Sequence, residues 1–341
     1  MRPFCMSRHC TQIHLVISTV CMVYVLHKYL KVNFHAKTIM MDEPQSSEQS
    51  HQAINEPRAK YNLMEETYGR EWEKTPEKYY NPLNCTIEYA NAQKLQQDHP
   101  CVVRLIQDTF LRQPSHRNIA YKLNNPALVD PSDGQSKGIL RLLGNHTNGF
   151  FIECGAFDGE FLSNTLYMER FLNWTGLLIE GDQKSFHQLT TRNRKAYTTS
   201  VCLSTKPYPI QVLYDTTHPL ISAIAEKNSE KLEPPVNFTA NVHQKQCFPI
   251  YSILLAIGRT EIDYFSLDVE GAEYKILKTI PWLKVNIKTL TVEWDHTSEG
   301  EIAMTRLMEK NKFVKFGHIE MAFSREVVYI QDFLNDLRLY E

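Results

Sequence analysis

The chain has no CxxC pair and no cysteine–histidine spacing that would hold zinc, so no metal site is expected. Neither charge is in excess. A formal net charge of −2 over 341 residues sets up no global field that would favour nucleic acid or an anionic membrane surface. No internal repeat is present, and no complete G-x-G-x-x-G follows an apolar run, which argues against a cofactor held by its pyrophosphate. The apolar run IHLVISTVCMVYVL at 13–26 is short of the roughly 20 residues that carry a helix across a bilayer core. What is present is a 43% hydrophobic and 22% charged composition, enough for a sizeable core in two average domains or one large domain with a tail.

The N-terminal run becomes long enough if Lys28 snorkels and Tyr29 and Leu30 join it, giving a transmembrane anchor over 13–30 behind a cytoplasmic tail at 1–12. No small-x-small cleavage site follows Leu26, which favours an anchor over a cleaved signal peptide. Flanking charge does not orient the span, since Arg2 and Arg8 precede it while Lys28, Lys31 and Lys37 follow. Four glycan acceptor sequons, at Asn84, Asn145, Asn173 and Asn237, all lie beyond it and all end in threonine. They place the bulk of the chain in a lumen or outside the cell, the topology of a type II single-pass protein. Beyond the span there are five cysteines, an odd number, so at least one is left over within the chain. Cys154, in an apolar strand, is the expected free thiol. Proximity along the chain alone suggests the pairs Cys85–Cys101 and Cys202–Cys247.

Residues 31–75 include MMDEPQSSEQSHQAINEPRAK, polar and without period, and read as a stem or linker. Residues 76–147 read as a helical preface, with helix-like spacing in CVVRLIQDTFL at 101–111. The main domain is expected over 148–335. Strands are predicted at 149–154, 175–182, 196–204, 262–268 and 287–295, with helices between them, and an antiparallel hairpin at 312–320 and 326–332. The segment 205–248, with Pro219, Pro234 and Pro235, is expected to be irregular. Strands alternating with helices predict an α/β fold: an open, mostly parallel, Rossmann-like sheet with helices on both faces.

Such sheets bind ligands beyond the carboxyl ends of their strands. There the first strand runs into Glu153-Cys-Gly155-Ala-Phe-Asp158-Gly159, the second into Glu180-Gly-Asp182, and the fourth into Asp268-Val-Glu270. Gly155 permits a sharp turn, Gly159 would let the next helix start close to a ligand, and Glu180 is spaced to accept hydrogen bonds from a ribose. Acids at three strand ends suit a cofactor with a ribose and a positive centre better than one rich in phosphate. S-adenosylmethionine is such a cofactor. The plainer alternative is that Glu153 and Glu180 cap helix N-termini.

FIECGAFDGEFLSNT, GLLIEGD and IDYFSLDVEGAEYKIL together resemble the FkbM-type methyltransferase domain, over roughly residues 148–331. The resemblance implies a class I methyltransferase-like fold, with Glu153, Gly155, Asp158, Gly159, Glu180 and Asp182 around the cofactor and Asp268 and Glu270 near the transfer site. Where many members of that family carry a lysine two residues before the fourth-strand aspartate, this chain has Ser266, leaving Glu270, His296 or His318 to act as base. The layout of tail, span, stem and domain resembles the Star group of arthropod membrane proteins. That implies a protein of the endoplasmic reticulum and Golgi membrane, with endosome or plasma membrane as further stations, serving vesicle transport of membrane-tethered protein cargo. The alternative is an active O-methyltransferase on a hydroxyl acceptor. No nucleic-acid partner is expected, and oligomeric state is not legible.

Overall fold

The structure is a computed structural model that describes residues 85–217, 222–224 and 241–332. The expected anchor at 13–30, the stem, Asn84 and Asn237 lie outside the described residues. Among the described residues no helix is long and apolar enough to cross a membrane.

The chain begins with α1 (Ile87–Ala92) and α2 (Pro100–Leu105), which widens into a further turn at Ile106–Phe110 and ends in β1 (Leu111–Arg112). Next come α3 (Gln135–Leu142), β2 (Phe150–Cys154), α4 (Leu166–Phe171), β3 (Thr175–Ile179), α5 (Gln183–Thr191) and β4 (Tyr197–Thr199). A group of strands follows: β5 (Cys202–Leu203), β6 (Ile210–Asp215), β7 (Ala223–Ile224) and β8 (Val242–Phe248). The remainder is α6 (Ile250–Ala256), β9 (Glu261–Leu267), α7 (Glu273–Leu277), β10 (Asn286–Glu293), α8 (Gly300–Lys310), β11 (Phe313–Glu320) and β12 (Arg325–Gln331).

Eight strands form the main sheet in the order β1-β4-β3-β2-β9-β10-β12-β11. The inner run β4, β3, β2, β9, β10 is parallel, and β1, β12 and β11 are antiparallel to their neighbours. Period-2 alternation sends side chains to opposite faces. Phe150, Ile152 and Cys154 of β2 join one core cluster, with Val102 of α2, Ile253 of α6, Ile276 of α7 and Met304 of α8. Phe151 joins the other, with Ile139 of α3, Met168 of α4 and Leu189 of α5. Burial on both faces explains why FFIEC and TGLLI read as unbroken apolar runs. From β2 the chain winds outward to β3 and β4, then returns to the other side of β2 for β9. The reversal opens a crevice beyond the carboxyl ends of β2 and β9.

Three expectations need correction. The strand predicted at 196–204 is divided: β4 belongs to the main sheet, whereas β5 opens a second, four-stranded sheet in the order β5-β8-β6-β7. The segment expected to be irregular contains the antiparallel pair β6 and β8, in register from Ile210↔Cys247 to Asp215↔Val242. Its small core of Val212, Tyr214, Cys202 and Cys247 takes from β8 only the end of the strand, where Cys247 and Phe248 are buried, so VHQKQCF shows no apolar run. The helix expected at 101–111 ends as α2 plus the wide turn, because Leu111 and Arg112 pair with Thr199 and Thr198 at the sheet edge.

Disulfides join Cys85 to Cys101 and Cys202 to Cys247, and Cys154 is free and buried. Closing loops of 16 and 45 residues restricts the unfolded chain and contributes about 3–4 kcal/mol each.

Candidate cofactor and transfer site

The β2 turn is made to abut the β9 turn. Gly155 has φ +80°, and a Cβ there would lie 2.2 Å from the carbonyl oxygen of Asp268, so only glycine fits. The amides of Gly155 and Ala156 both donate to the Ile179 carbonyl at 3.1 Å, which ties this turn to the end of β3. Glu180 completes the tie: its Oε2 accepts from the Phe157 amide at 2.7 Å and its Oε1 from the Asp182 amide at 2.6 Å. Burial pushes the Glu180 carboxyl up to about 8, against the pull of those two amides. Lys245 of β8 is the nearby cation acting on Glu180, and its own pKa is lowered by burial.

The three strand ends enclose a cavity lined by Gly155, Phe157, Glu180, Tyr214, Asp268 and Glu270, with Ile179, Val201, Leu203, Ile224 and Ile276 as an apolar flank. It is narrow, with a volume of about 60 Å³. Ile224, Glu270 and Ala272 also line a neighbouring cleft of about 780 Å³, together with Lys94, Lys206, Lys275 and His296.

A sequence profile for the methyltransferase FkbM domain matches residues 153–330, just over half of the chain. The chain belongs to this family. Solved structures similar to it include fibrillarin in the fibrillarin/Nop5p complex (14% identity, TM-score 0.33, 59% of this chain and 83% of that one). A SAM-dependent methyltransferase from Aquifex aeolicus matches at 11% identity and TM-score 0.29, over 61% of this chain and 98% of that one. The human methyltransferase 10 domain containing protein matches at 10% identity and TM-score 0.32, over 73% and 99%. No curated protein sequence matches the chain.

The FkbM domain has S-adenosylmethionine as its expected cofactor, and the donor set fits it. Glu180 presents a carboxyl group for ribose hydroxyls, the aliphatic flank suits a base, and Asp268 and Glu270 bring acidic oxygens to a sulfonium.

Of the eight residues expected at the site, Gly155, Glu180, Asp268 and Glu270 line the cavity, and the other four do not. Glu153 is buried and points to the segment entering α4. It accepts from the Asn164 amide at 2.7 Å, from Ser163 Oγ at 3.0 Å and from Thr165 Oγ1. Glu153 thus braces the segment leading into α4 instead of lining the cavity, and it does not cap that helix, since the amide it accepts from, that of Asn164, precedes it. Arg194 braces the same segment, donating to Thr165 Oγ1 at 3.1 Å and to Glu169 Oε2 at 3.1 Å. Asp158 forms an ion pair with Arg192 at 2.5 Å, while Asp182 caps α5 through the Ser185 amide at 2.8 Å. At Gly159 a Cβ would lie 2.3 Å from Leu189 Cδ1, so the glycine lets α5 pack rather than admitting a ligand. Ser266 is buried and accepts from Asn164 Nδ2 at 2.8 Å. His318 pairs with Glu301 at 3.1 Å on the terminal hairpin, whereas His296 Nδ1 lies 2.5 Å from Glu270 Oε2 beside the cavity.

The sequence reading missed Tyr214, which reaches the site from the second sheet, and Glu293. The latter ends β10 as Glu180 follows β3, so the same strand-end rule would have found it. Burial, then Glu270, raises Asp268; burial, then Asp268 and Glu270, raises Glu293.

Proposed function

We propose that the domain is an S-adenosylmethionine-dependent O-methyltransferase acting on a hydroxyl-bearing acceptor. The observation that carries this is the convergence of Gly155, Glu180 and Asp268, from three separate strand ends, on one cavity at the switch point of the sheet. When bound, S-adenosylmethionine supplies a methyl group on a positively charged sulfur. Glu180 holds the ribose, and Glu270, ion-paired with His296 and lining both cavity and cleft, takes the proton of an acceptor hydroxyl lying in the larger cleft. Calorimetry with S-adenosylmethionine on the full chain tests it. Wild type binds, and Glu180→Ala loses about 1–3 kcal/mol of affinity as a buried hydrogen-bonding partner of the ribose is removed. Equal binding by the two would place the cofactor elsewhere.

The narrowness of the cavity and the neutral Ser266 favour a second function: a non-catalytic descendant of the fold, serving as a Star-like factor in vesicle transport of membrane-tethered cargo. A folded chain that ignores millimolar S-adenosylmethionine is the outcome this second function requires.

For either function we infer a lumenal domain behind a single N-terminal span, in the endoplasmic reticulum and Golgi. Asn145 and Asn173 support it: both are exposed and precede β2 and β3, at the rim opposite the cavity, where sugars leave the site open. The two disulfides support it as well, since such bonds persist in oxidising compartments. Glycosidase treatment should increase the gel mobility of the protein made in its own cells; unchanged mobility rules the placement out.

A further inference from the structure

The carboxyl ends of β9 and β10 bring together more negative charge than S-adenosylmethionine recognition uses. Ligand atoms of Glu270, Glu293 and His296 lie within 4.8 Å of one another, and Asp268, Glu273 and Glu293 form a second overlapping trio within the same distance. Glu273 is already committed: its oxygens accept from the Val269 amide at 2.8 Å, the Gly271 amide at 2.9 Å and Thr297 Oγ1 at 3.0 Å. Glu293 is not. It is only 7% exposed, yet its Oε2 has no hydrogen-bond partner, and its Oε1 lies 3.3 Å from His296 Nδ1. A carboxylate so deep without a donor is costly unless a proton or a cation sits beside it. Asp268 faces it closely enough for the two carboxyls to share a proton.

We propose that Asp268, Glu270, Glu293 and His296 form a binding site for one divalent cation of the manganese or magnesium class. Carboxylate oxygens are the hard ligands that class prefers and an imidazole is accepted beside them; Glu270, Glu293 and His296 bring their ligand atoms within 4.8 Å of one another, and Asp268 stands within the same reach of Glu293. Glu270 adopts φ +61°, a left-handed backbone rare outside glycine and asparagine, which turns its carboxylate toward Glu293 and His296. His296 is half-exposed and lines the 780 Å³ cleft, so an ion has an entry path and keeps positions open for water or an acceptor hydroxyl. There it would favour the deprotonated form of that hydroxyl, the role that would otherwise fall to a lone base. That role rests on the methyl-transfer function proposed above; the binding site does not.

The test uses the full chain and Mn2+ alone. Paramagnetic resonance of free Mn2+ should show one ion bound per chain, and the melting temperature should rise with Mn2+ concentration. Glu293→Gln should weaken binding at least tenfold and abolish the thermal shift. His296→Ala, at a half-exposed position that tolerates change, should weaken it several-fold. No binding by the folded wild type at millimolar Mn2+, or equal binding by wild type and Glu293→Gln, overturns the proposal and leaves the shared proton as the whole account. Mn2+ binding without S-adenosylmethionine binding sinks the methyltransferase function and keeps this site; the reverse result removes this site alone.

Discussion

Two buried acids, Glu153 and Glu293, stand at the carboxyl ends of parallel strands in one sheet and have opposite surroundings. Glu153 is met by an amide and two hydroxyls, with Arg194 close behind. Glu293 is met by Asp268, Glu270 and a histidine, and one of its oxygens has no donor. Burial raises the pKa of both, but only at Glu153 does a cation compete against it from within the core. The first arrangement is what a protein builds to hold itself together. The second leaves a buried acid among acids with an oxygen unsatisfied, a state that a proton or something from outside can relieve. A carboxylate's place in the chain therefore says less about its function than the number of donors around it.

The contrast can be broken from either side. The largest effect is expected on the Glu153 side: Arg194→Met leaves Glu169 and Glu153 without their buried cation and should cost about 3–5 kcal/mol in a denaturant titration. Glu293→Gln, equally buried, should leave stability unchanged or raise it, because it removes repulsion and no donor. A loss at Glu293 as large as that at Arg194 would mean the two acids are alike after all. A further effect is in pH dependence at Glu180. Its carboxyl titrates near 4.5 when unfolded and near 8 when folded, so the folded chain keeps a proton that the unfolded chain releases. Stability from this group is fully present below about pH 4.5 and is lost as pH rises through about 8. Denaturant melts of wild type and Glu180→Gln at pH 5 and pH 8.5 should show the wild type losing ground to the variant as pH rises. Parallel behaviour would mean that Glu180 is ionised in the folded protein throughout.

The parallel half of the fold was legible because strands buried on both faces leave runs such as FFIEC, TGLLI and IDYFSL that no helix period explains. The second sheet was not, since β8 is mostly polar and buries only Cys247 and Phe248 at its end. At the site, Gly155, Glu180 and Asp268 could be read because strand ends fix where a residue sits. What chain position does not fix is which way a side chain turns. Glu153 lies in β2 itself, faces the entry to α4 and never reaches the cavity, and Asp182 turns back to cap α5. Cysteine and histidine spacing bears on zinc alone, since carboxylates from two strands have no spacing to read.

Cys202 lines the cavity and is bridged to Cys247 directly across the β5–β8 pair. One wall of the pocket is thus fastened by a bond that a reducing cytosol does not let form. Material produced in such a host would carry the sequence and most of the core but an unfastened wall, and a failed binding titration on it would describe the host rather than the protein. The oxidation state of this one pair should be verified by mass before any ligand is added.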